Sequence, residues 1–180
     1  MLAAVAQDGA KLRRATPALR GDKEVVLAAV AKTGAALEFA SDMLRNDPEI
    51  ATVACSNDGR ALAHASLALR NNFQVVLAAV RQNGYALEFA SDGVRANRSI
   101  ALAAVAENGN ALRHCTGRLD SISNVASTQS HPQYRDLRSD REVVLMALAQ
   151  NGSAFRHASL ELRADPVSYT HLTLPTIRLV

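Results

Sequence analysis

Dense apolar runs and sparser apolar stripes alternate along the chain. The run Val25-Val26-Leu27-Ala28-Ala29-Val30 is apolar around most of a helix's circumference and predicts a helix buried on several sides. The stripe Leu87, Ala90, Ser91, Val94 follows i, i+3, i+4, i+7, the spacing of a helix that hides one face. Nothing shows the period-two alternation of a half-buried strand, and the abundance of alanine favours helix over sheet. Each pair of run and stripe therefore predicts two short helices.

The pairs recur in register. Gly9, Gly34, Gly59, Gly84 and Gly109 stand 25 residues apart, and Gly152 follows after 43, which is 25 plus an insertion of 18. Three residues after these glycines stand Leu12, Leu37, Leu62, Leu87, Leu112 and Phe155; ten after stand Leu19, Leu44, Leu69, Val94, Leu119 and Leu162. Asp22 and Asp47 precede dense runs as N-caps, with Pro48 at a first helical position where its missing N–H costs nothing. Asn83-Gly84, Asn108-Gly109 and Asn151-Gly152 follow the runs. Asn-Gly is also a hairpin signal, but its flanks lack strand alternation, so the glycines are expected to close helices in the left-handed conformation.

A helix that is apolar all round must be sandwiched, and one pair cannot cover its own surface. Six units predict an all-α fold, an α-solenoid of stacked short helix pairs. Repeats two and four share Ala36-Leu37-Glu38-Phe39-Ala40-Ser41-Asp42 and Ala86-Leu87-Glu88-Phe89-Ala90-Ser91-Asp92, whereas odd repeats carry Arg13-Arg14, Ala63-His64 and Arg113-His114 in place of Glu-Phe. The sixth repeat, with Arg156-His157, is of the odd kind. The larger unit is thus a pair of pairs, about 50 residues long.

Arg141-Glu142-Val143-Val144-Leu145, the Gln-Asn-Gly ending at Gly84 and Ala86-Leu87-Glu88-Phe89-Ala90-Ser91 resemble the tandem repeats catalogued as domain of unknown function 4116. The resemblance covers residues 2–117 and 139–166. It implies a helical repeat and brings no activity and no functional residues.

The expected organisation is five repeats over residues 1–119, the first cut short by Met1, then an inserted loop at 120–136 rich in Ser, Asn and Gln. A sixth repeat and the start of a seventh fill 137–166. The tail 167–180, VSYTHLTLPTIRLV, lacks the period and reads as sequence carried over from cloning or sequencing, so the chain reads as a piece of a longer repeat protein. Hydrophobic residues at 48% can build a core, and aromatics at 4% leave that core to Ala, Val and Leu. A net charge of +3 excludes a strongly basic nucleic-acid tail. No apolar run is long enough to span a bilayer, and two cysteines make no disulfide framework. A cytoplasmic, non-membrane protein is expected.

Chemistry is sparse. His64, His114 and His157 share one repeat position, but layers at helix-packing distance would hold them too far apart for one metal. Cys55 and Cys115 replace core Val and Ala and read as small buried hydrophobes. No phosphate loop, nucleophile elbow or zinc-protease motif is present, so no enzyme, metal, cofactor or small-molecule substrate is expected. Arg20, Arg45, Arg70, Arg95 and Arg163 recur two residues before Asp22, Asp47, Asn72, Asn97 and Asp165. They form either a structural set complementing helix C-termini and nearby carboxylates, which the regular Asp companions favour, or a cationic ladder. Ala10, Ala35, Arg60, Tyr85, Asn110 and Ser153, each following a repeat glycine, vary as partner-reading positions would. The candidate contact residues are thus Arg45, Arg70, Arg95, Arg60, Tyr85 and Asn110. Protein-interaction scaffolding is favoured; a nucleic-acid-binding repeat using the Arg ladder, and an accessory region of an enzyme, stay open.

Overall fold

A polar residue in extended conformation divides each repeat between its two halves. The computed structural model describes residues 2–115 and 136–164, in which every regular element is helical. Long helices span Leu2–Gln7, Lys23–Lys32, Pro48–Asn57, Phe73–Gln82, Arg98–Glu107 and Arg141–Gln150. Each is opened by a side-chain cap where one is described: Asp22, Asp47, Asn72, Asn97 and Asp140 accept from the second and third N–H of their helices. Val25, Val26, Ala29 and Val30, with their counterparts Val75, Val76, Ala79 and Val80, are buried, as expected for a sandwiched helix.

The stripe is not one helix. Gly34–Phe39 and its equivalents form 3₁₀ turns, and Asp42–Arg45, Leu67–Arg70 and Asp92–Arg95 form separate one-turn helices. The break falls at Ala15, Ala40, Ala65, Ala90 and Ala158, which are buried with extended backbone. The next residue then bonds across the stack: the N–H of Ser41, Ser66 and Ser91 donates to the carbonyls of Arg20, Arg45 and Arg70 in the repeat before, at 2.9–3.1 Å. A continuous helix would spend those N–H groups internally. The stripe thus identified the buried face correctly and its continuity wrongly.

The glycines correct a second expectation. None of those described has positive φ. Each long helix ends instead at an extended residue such as Asn83 (φ −153°), whose side chain accepts from the N–H of Tyr85 and caps the 3₁₀ turn. Glycine is required for close approach. A Cβ added to Gly9, Gly34, Gly59, Gly84 or Gly109 would lie no more than 2.5 Å from the carbonyl oxygen of Ala29, Ala54, Ala79, Ala104 or Ala147 in the following repeat.

Long helices pack on long helices and 3₁₀ turns on 3₁₀ turns, in chain order, giving the stacked array expected. Amides fasten some layers. Asn57, Gln82 and Gln150 accept from the N–H of Gly34, Gly59 and Gly109 one repeat back, and Asn57 also donates to the Ala31 carbonyl. Leu137–Ser139 and Asp140 resume the register before the sixth long helix, and the Arg138 carbonyl accepts from Ser159 as its counterparts do. Residues 120–135 of the expected loop, and the tail 167–180, lie outside the described residues.

Ion pairs bridge two layers at the N-cap edge. Lys23 meets Asp47 and Glu49 at 2.9 and 2.8 Å, and Arg98 meets Asp140 and Glu142. Hydrogen bonding to Lys23 holds Asp47 below the usual carboxylate range. Burial pushes Asp140 upward, yet Arg98 and the helix N–H groups outweigh it and leave the carboxyl lowered. Both carboxylates therefore stabilise the fold fully above the ordinary Asp value, and that contribution is lost as pH falls through the depressed folded values. Asp140→Asn keeps a good cap, as Asn72 and Asn97 show, but gives up the charge. It is expected to cost about 1 kcal/mol near neutrality and to make acid destabilisation shallower in chemical denaturation series run across acidic pH.

Candidate functional site

The recurring register of the short helices creates a groove along one edge. Arg45 and Arg70 sit on successive short helices, and Asp42, His64, Ser66 and Leu67 complete a groove of about 290 Å³ between them. Arg45 and Arg95 pair with Asp42 and Asp92 of their own short helices. Asp47 and Asn97, two residues after these arginines, are occupied instead as caps of the next long helix. Arg70 has Leu67 at the position of those aspartates and meets no carboxylate among the described residues. Arg20 donates from Nε to the Ala15 carbonyl at 3.1 Å. The Nε atoms of Arg45, Arg70 and Arg95 are buried and make no hydrogen bond among the described residues, a desolvation cost carried by each of the three rungs.

Large apolar side chains flank these arginines. Met43 is 86% exposed, and Leu67 and Leu160 are each 75% exposed. The stripe pattern assigned these positions to the polar side of a continuous helix, so periodicity alone did not mark them. Their signal was available as leucine or methionine where the helical face demanded none. Arg138, paired with Asp136 at 2.9 Å, is a further rung: Leu137-Arg138-Ser139-Asp140 repeats Leu44-Arg45-Asn46-Asp47.

The other sequence candidates lie elsewhere. Arg60 lines a shallow polar cleft of about 320 Å³ with Asp58, Gln82, Asn83, Glu107 and Asn108, where the long helices end. The rungs precede the starts of those helices, about 15 Å away for ten residues at 1.5 Å each. Tyr85 lies beneath the Arg113 guanidinium, 5.3 Å from ring centre to Cζ, and Asn110 accepts from the Ser153 hydroxyl. Arg45, Arg70 and Arg95 thus share one edge, while Arg60, Tyr85 and Asn110 do not join them in one site.

His64, His114 and His157 each end a 3₁₀ turn. Among the described residues no group of three His, Cys, Asp or Glu side chains could hold a metal ion. Cys55 and Cys115 are buried, and burial pushes both thiols up to about 12, far from thiolate chemistry at neutral pH. No described helix is long and apolar enough to cross a membrane.

The family model described as "Domain of unknown function (DUF4116)" matches residues 1–45, 22–70, 47–95, 72–120 and 134–163. The chain belongs to the DUF4116 family. The matches beginning at 22, 47 and 72 advance by one 25-residue repeat while each spans two, so the DUF4116 unit is a pair of layers read in overlapping register. That agrees with a fold in which no layer closes its own core. No curated protein and no solved structure matches the chain.

Proposed function

We propose that this chain is a non-catalytic DUF4116 scaffold whose short-helix edge binds a protein partner. The observation that carries the reading is the exposure of Met43 and Leu67 beside half-buried Arg45 and Arg70. Apolar side chains set against arginine are the composition of protein interfaces, where Arg and Met are enriched. A backbone-phosphate ladder needs free cations, whereas Arg45 and Arg95 are already paired with Asp42 and Asp92. The buried thiols support a non-catalytic reading, since neither is placed to act as a nucleophile.

The test is affinity capture with the full chain, with and without nuclease. Met43→Glu combined with Leu67→Glu should leave thermal unfolding within about 0.5 kcal/mol of the parent, because both side chains are exposed, and should abolish nuclease-resistant capture. Capture that survives this change but disappears on nuclease treatment, or on replacing Arg45, Arg70 and Arg95 with Gln, would instead assign the edge to nucleic acid.

A further inference from the structure

The alternation of odd and even repeats controls the charge on the outer face of the 3₁₀ column. Glu38 and Glu88 occupy that face in repeats two and four, and place a carboxylate between the basic or neutral layers of repeats one, three and five. The sixth repeat breaks the order. Gly152–His157 packs directly on Gly109–His114, so two Arg-His layers are adjacent with no Glu layer between them.

The charges around this junction divide clearly. Arg95 is paired with Asp92 and Arg138 with Asp136. Arg113 and Arg156 are exposed and meet no carboxylate among the described residues. Each donates from Nε to Nε2 of the histidine that follows it, at 2.7 Å to His114 and 3.1 Å to His157. Each imidazole is thereby held as the neutral acceptor. Burial, followed by the neighbouring arginines, depresses both histidines, with Glu88 opposing at His114. Arg113 is further fixed over the Tyr85 ring. Two oriented guanidinium groups, neither in an ion pair among the described residues, thus stand one layer apart, with Glu88 the carboxylate of the adjoining layer.

We propose that the outer face of repeats five and six, built from Arg113 and Arg156, docks a carboxylate-rich segment of a protein partner. The inference rests on the protein-interaction reading above and names the chemistry of the partner. Guanidinium recognises carboxylate through paired N–H donors, and Arg113 and Arg156 offer their terminal nitrogens while Nε is engaged with histidine. The junction is served by two such groups one layer apart, so an extended chain bearing acidic side chains on one side can meet both. Nucleic acid is the less suitable occupant, because Arg95 and Arg138, the further described arginines that act on His114 and His157, are already paired with Asp92 and Asp136.

The probe is a fluorescein-labelled oligoglutamate peptide, titrated with the full chain and followed by fluorescence anisotropy, with a labelled oligouridylate in parallel. The parent chain should bind the peptide, and binding should weaken as salt rises. Arg113→Glu with Arg156→Glu should weaken it about tenfold or more, whereas Arg81→Glu, an exposed change of the same charge on a long helix, should have little effect. Arg113→Gln with Arg156→Gln should reproduce most of the loss, and circular-dichroism melts of each variant confirm its fold. Absence of peptide binding, an equal loss in Arg81→Glu, or tighter Arg113-dependent binding of the oligouridylate overturns the proposal. Loss of nuclease-resistant capture through Met43 and Leu67 with peptide binding unaffected by Arg113 and Arg156 would reject this inference alone.

Discussion

Val76→Asp should collapse the middle of the stack. Val76 is fully buried in the fourth long helix, between the long helices before and after it. An unpaired buried charge costs about 4 kcal/mol, which in a chain of this size lowers the melting midpoint by about 10 °C or more. Because each layer is covered only by its neighbours, the loss should spread to repeats three and five in one cooperative step. Gln74→Asp, on the exposed first turn of the same helix, should change little and gains slightly from the helix dipole. Circular-dichroism melts of both variants decide the matter: an unaltered midpoint for Val76→Asp would contradict the sandwiched packing.

Gly84→Ala and Gly152→Ala should part company. An alanine Cβ at Gly84 would be driven against the Ala104 carbonyl, which is backbone and cannot swing aside, whereas at Gly152 no described residue lies within 4 Å. The first substitution should cost about 2–3 kcal/mol by forcing adjacent layers apart. The second should be neutral or stabilise by about 0.5 kcal/mol, since alanine restricts the unfolded chain more than glycine does. Were these glycines left-handed helix stops, both changes would destabilise alike. Urea titrations of the two variants separate the explanations.

The fold was legible because its period is carried by residues whose environments repeat. Leu37, Leu62, Leu87 and Leu112 are each fully buried, and the Asp and Asn caps open the long helices where expected. What escaped was set by contacts between layers. The break at Ala40-Ser41 depends on a carbonyl at Arg20, and the glycine requirement depends on a carbonyl one repeat ahead. Neither partner is near in sequence, so local propensity could not reveal it. The candidate face divided in the same way. Recurring arginines stood out by spacing, whereas the exposure of Leu67 needed the short helix to be seen as a separate element. Arg45 meets a nearby carboxylate, that of Asp42 three residues before it, because Asp47 is engaged as the cap of the following helix.

The amide fasteners give the stack a grain. Asn57, Gln82 and Gln150 tie their layers to the preceding glycine, but Lys32 offers no acceptor oxygen and Glu107 forms no such bond among the described residues. Tension applied along the array would meet seams of unequal strength, with the joins ahead of repeats two and five yielding before those ahead of three, four and six. A tether under load would then lengthen in discrete steps whose order follows the amide at each join, reinforced ahead of repeats three and six by the ion pairs of Lys23 and Arg98.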